Sequence, residues 1–108
     1  MNIDLSITTL HSLNYKLVKE NVYVDLNDTS GFSNYRVAVI IKKEPDNFCK
    51  KKIERRFENN FLHIEKVEFC NKNKELKYVL GGDLEDIISF KSRISSRNIF
   101  IKGLVNAK

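Results

Sequence analysis

Proline is nearly absent from this chain, glycine is sparse, and long apolar runs are missing. One proline and four glycines in 108 residues exclude low-complexity segments and flexible linkers. The longest apolar run is Val37 to Ile41, far short of what a membrane-spanning helix needs. The two cysteines, Cys49 and Cys70, are too few for a disulfide scaffold. The start Met1-Asn2-Ile3-Asp4 carries no basic segment followed by an apolar core, so no secretory signal is expected. Together these absences point to a cytoplasmic protein with free thiols and no membrane partner.

What is present fits one folded domain over residues 1–108, with 42% hydrophobic and 10% aromatic residues. A chain of this length buries enough surface for a core without metal or disulfide support. Nineteen basic residues against fourteen acidic ones give a net charge of +5. That balance favours acidic partners, either phosphate backbones or acidic protein surfaces.

The run Val37 to Ile41 holds four β-branched residues and one alanine between polar flanks. Its length and composition predict a strand buried on both faces, the central strand of a sheet. Before it, Ile3, Leu5 and Ile7 alternate with polar residues, as in a half-buried strand. Leu10 and Leu13 are expected to touch the core across the break at His11 to Asn14. Tyr15 to Val18 and Val22 to Leu26 read as two further strands, and Asn27 to Gly31 as a loop. After Pro45, the residues Cys49, Ile53, Phe57 and Phe61 recur at i, i+4, as on a helix stripe. Alternation of Ile53, Arg55 and Phe57 also allows an edge strand. Phe61 to Cys70 changes its dominant apolar face midway, which predicts a bulge or a strand covered on both sides. Glu75 to Leu80 is the return strand. Gly81-Gly82-Asp83 then opens a helix with Leu84, Ile87, Ile88, Phe90 and Ile94 on one side. Lys91 falls inside that arc and must snorkel. Ile99, Ile101, Leu104 and Val105 suggest a final strand. The expected class is α+β: a mostly antiparallel meander of about five to seven strands, a helix at about 83–94 on one face, and a possible second helix at about 46–58.

Several clusters carry candidate chemistry. Lys50, Lys51, Lys52, Arg55 and Arg56 lie among Phe48, Phe57 and Phe61, a pattern that suits phosphates and unpaired bases. The same residues also make a solvated helix face, and Glu54 and Glu58 dilute their field. Phe32 and Tyr35, in and beside the loop of residues 25–34, are candidate anchors for a protein partner, or close the core. His11, Cys49, His63 and Cys70 lack metal-ligand spacing, so no metal or other cofactor is expected. His11 and His63 are the imidazoles a small basic ribonuclease would use, although their spacing carries no specificity. Gly81-Gly82 lacks the remainder of a phosphate-binding loop, and Asp83 would occupy the phosphate's place.

These features favour a non-enzymatic, protein-binding module, of the inhibitor or immunity type that neutralises a partner such as a toxin by stoichiometric binding. Its partner would present an acidic surface to Lys50, Lys51, Lys52, Arg55 and Arg56, with Phe32 and Tyr35 as anchors. Nucleic-acid binding through the same cluster and ribonuclease activity are the alternatives. Oligomeric state is open, since exposed sheet edges permit pairing between copies.

Overall fold

A computed structural model describes residues 5–28, 34–42 and 46–95. Its elements are β1 (Leu5–Thr8), β2 (Tyr15–Lys19), β3 (Val22–Asp25), β4 (Tyr35–Ile41), α1 (Asn47–Asn59), β5 (His63–Cys70), β6 (Glu75–Gly82) and α2 (Leu84–Ser95). The six strands form one antiparallel sheet in the order β2-β3-β4-β6-β5, with β1 also pairing to β4. This is the expected α+β class. Ile3, Phe32 and the strand expected after Ser96 lie outside the described residues.

The apolar run of β4 makes it central. Val37, Ala38 and Val39 are all fully buried, so both faces of the strand are covered. β6 pairs along one edge, from Tyr35↔Gly82 to Ile41↔Leu76. The other edge is shared: β3 meets Tyr35 and Arg36, and β1 meets Ala38 to Ile41. Consecutive pairing therefore holds for β2-β3-β4. It breaks where α1 carries the chain over the sheet, so that β5 lands one place further out and β6 returns beside β4.

Both helices lie on the same face. Val37, Val39 and Ile41 of β4 and Leu76, Tyr78 and Leu80 of β6 form one core with Ile53 and Phe57 of α1 and Ile87, Phe90 and Ile94 of α2. Phe57 packs edge-on against Tyr78 at 5.1 Å and against Phe90 at 5.9 Å. Each such pair adds about 0.5–1.5 kcal/mol to plain burial. Lys91 snorkels as expected, its ammonium reaching the Glu20 carbonyl. Ile88 is less buried than the helical spacing predicts, at 38% exposure.

The α1 boundaries explain two departures from the sequence pattern. Asp46 caps the start, accepting the Cys49 N–H at 2.8 Å, which holds its carboxyl below the ordinary range. At the far end Phe61 N–H bonds to Glu58 O and Leu62 N–H to Phe57 O, the pattern of a left-handed helix stop. Phe61 adopts φ 64°. The chain turns there, so Leu62 rather than Phe61 enters the core, and Phe61 is 77% exposed. Leu13 is 98% exposed, not in the core, because it sits at the turn before β2. Leu26 is 54% exposed. β3 ends one residue earlier, where Asp25 bonds the Asn27 N–H.

β5 contains the predicted irregularity. Its register on β6 shifts between Ile64 and Lys66, leaving Glu65 as the extra residue of a bulge. The shift lets Leu62 and Ile64 share a face with Val67 and Phe69, which strict alternation would divide. Gly81 and Gly82 belong to β6 and not to a turn, because the strand must pass very close to its neighbours there. A Cβ at Gly82 would come within 2.7 Å of Leu62.

The Tyr78 hydroxyl donates to Glu54 at 2.7 Å, tying the sheet to α1. Burial first, then this bond to a carboxylate, pushes the phenol well above its ordinary value of 10.0. A raised phenol favours the folded state below the unfolded pKa, and that contribution is lost as pH rises beyond it. Tyr78→Phe should therefore flatten the alkaline loss of stability, measured as urea midpoints between about pH 9 and about pH 11.

Candidate functional site

Two groups of charged residues stand out among the described residues, one on each side of the sheet. On the helix side, α1 has spent its apolar stripe, Ile53 and Phe57, on the core. Its remaining surface is basic. Lys51 and Arg55 are exposed, while Lys50, Lys52 and Arg56 are half-buried. Lys50 lies 4.0 Å from Glu54, and the Lys52 ammonium sits over the Phe48 ring at 5.1 Å from its centre. Phe48 is 69% exposed near the start of this helix, and Phe61 stands just past its end. Phe48 and Lys52 are thus in contact on the solvent side of α1, with Lys51 and Arg55 exposed beside them and Phe61 exposed just past the helix end. Tyr35 is elsewhere, packed partly buried against the core. Phe32 lies outside the described residues.

On the opposite face, which carries no helix among the described residues, lies a charge cluster that the sequence did not reveal. Arg36 is only 2% exposed. One of its terminal nitrogens, Nη2, faces Asp25 at 3.5 Å, Asp28 at 3.4 Å and Glu65 at 3.4 Å. The other, Nη1, donates to the Tyr35 carbonyl at 3.0 Å. His63 Nε2 adjoins Glu65 Oε2 at 3.0 Å. Burial, then the Asp25 carboxylate, raises the phenol of nearby Tyr15 above its ordinary value.

Local structure assembles this cluster from distant residues. Arg36 on β4 pairs with Gly81 on β6, which pairs with His63 on β5. The absent side chain at Gly81 leaves the space the other two use. A Cβ there would lie 2.5 Å from the His63 ring and 2.9 Å from Arg36 Nη1. The bulge delivers Glu65, and the turn after β3 delivers Asp28. Gly81, read from the sequence as leading into the helix, lies inside β6, where a glycine marks close approach.

Among the described residues, three carboxylates thus face one guanidinium. His11 stands apart from His63 in its bonding, paired with Thr9 at 3.0 Å. Among the described residues no three His, Cys, Asp or Glu side chains are grouped to hold a metal ion. Cys49 and Cys70 are free thiols. Burial, then its bond to Asp46, raises the Cys49 thiol, so the neighbouring lysines do not activate it. No helix among the described residues is long and apolar enough to cross a membrane.

No family model matches the chain, and neither a curated protein nor a solved structure matches it.

Removing the central cation should be costly. Arg36→Met is expected to destabilise the fold by about 3 kcal/mol in urea unfolding, because three carboxylates lose their common counter-charge. Gly81→Ala should cost about 1–3 kcal/mol. Adding His63→Ala should recover part of that loss, since the imidazole accounts for the closest contact and Arg36 for the rest.

Proposed function

We propose that this protein is a small cytoplasmic binding module that recognises an acidic protein surface through the α1 ridge. Stoichiometric binding of this kind is how an inhibitor or immunity-type protein neutralises its partner. The observation that carries the reading is Phe61. A phenylalanine in left-handed backbone costs about 1 kcal/mol relative to glycine, the usual residue at a helix stop. It also exposes an aromatic ring to water. Nothing in the core requires it, because Leu62 and Phe57 already complete the helix end. An exposed aromatic at the end of a basic ridge has the form of an interface anchor with a charged rim.

A protein partner fits this ridge better than a nucleic acid. The Phe48 ring already has an ammonium over it, which leaves that face unavailable for stacking on a base. Glu54 and Glu58 on the same helix would meet phosphates unfavourably. The ribonuclease reading retains His63 beside Glu65, but on the face opposite the basic cluster.

The test separates stability from binding. Phe61→Gly should raise stability by about 1 kcal/mol. It should also weaken capture of a partner from nuclease-treated host lysate at moderate salt, read by quantitative mass spectrometry against wild type. Charge reversal at Lys51 and Arg55 should weaken the same capture. Capture unchanged in both variants rejects the α1 ridge. Loss of all captured material on nuclease treatment moves the assignment to nucleic acid.

A further inference from the structure

The sheet ends at β5, and all eight residues of this strand except Ile64 are exposed. Among the described residues nothing pairs with its outer edge. The bulge occupies only its first part, so Lys66 to Cys70 run in regular register against β6. We propose that this edge pairs antiparallel with β5 of a second copy of the chain, about a two-fold axis at Val67, to form one continuous sheet.

Charge selects both the partner and the register. Lys66 and Glu68 lie on the open face, bridged to each other at 2.6 Å. A two-fold at Val67 sets Lys66 opposite Glu68 of the second copy, and Glu68 opposite its Lys66. It also stacks Val67 on Val67 on the helix side. A two-fold at Lys66 or at Glu68 opposes like charges directly, which destabilises a strand pair. One at Phe69 opposes Lys66 to Lys72. The Val67 register alone among these four is charge-complementary. Val67 and Phe69 are each 41% exposed, so pairing also covers apolar surface.

The other edge does not offer this. On β2, Lys16 and Lys19 are both exposed and present one sign of charge, a device that repels a second strand. Within the regular stretch this register pairs only Lys66 to Glu68 of each strand, because Phe69 falls opposite the bulge residue Glu65. That is small against the area of a stable interface, so the dimer is a weak, concentration-dependent one.

Disulfide trapping reads the register directly. In a Cys49→Ser/Cys70→Ser background, Val67→Cys should cross-link on mild oxidation. Residues facing each other at the axis lie about 4.5–5.5 Å apart, within disulfide range. Phe69→Cys should not cross-link, because its symmetry mate is displaced by roughly 13 Å along the strand. Cross-linking through Phe69→Cys alone, or through neither, overturns the proposal. In sedimentation equilibrium Glu68→Lys should weaken dimerisation about tenfold or more. Lys66→Glu/Glu68→Lys should restore it. Wild-type chain that stays monomeric throughout a concentration series also overturns the proposal, and leaves the edge to a strand of another protein.

Discussion

The ring of Phe57 is the contact on which both layers depend. Tyr78 meets it from the sheet and Phe90 from the second helix. Neither helix can shift without opening the core at this point, where close packing makes voids costly. The position of Phe57 also fixes where α1 must stop. Four residues later the chain has to re-enter the sheet, and it does so through a left-handed turn that places Leu62 inside and Phe61 outside. Glycine would make that turn with less strain. The core thus explains the turn but not the residue found there, which is why the proposed binding role rests on Phe61.

A second constraint is the division of charge between the two sides of the sheet. Basic residues dominate the outer side of α1, while on the other side of the sheet three carboxylates gather around Arg36. The bulge at Glu65 contributes to both: it aligns the apolar residues of β5 with the helices and sends a carboxylate to the opposite face. The acidic partner proposed above would meet opposite fields on the two sides, which would orient the encounter before contact.

The sequence made some of this legible, and for definite reasons. β4 was visible because burial on both faces leaves an uninterrupted apolar run. The bulge was visible because the apolar face changes midway through β5. α1 was ambiguous because a narrow stripe of Ile53 and Phe57 also satisfies alternation. Phe61 was misplaced because helical spacing continues past the residue where the helix ends, and only backbone geometry reveals the stop. Arg36 was invisible as a centre of charge. Its partners come from a turn, a bulge and a neighbouring strand, between eight and twenty-nine positions away, and no local pattern encodes that convergence. Gly81 was read as part of a turn, although its role is to leave room for Arg36 and His63.

The shared edge of β4 has a consequence for how the sheet opens. β4 is bonded to β6 along its whole length on one side, and to β3 and β1 in succession on the other. Among the described residues β1, only four residues long, pairs with β4 alone, while Leu5 anchors it in the core. Detaching it exposes half of one edge of β4 and opens the core at Leu5, but breaks no backbone pairing of β6 or of the hairpin of β2 and β3. Amide protons should therefore exchange with solvent in a graded order. Those of β1 and the outer edges of β2 and β5 exchange through local opening. Those that β4 directs toward β6 exchange only when the whole domain unfolds.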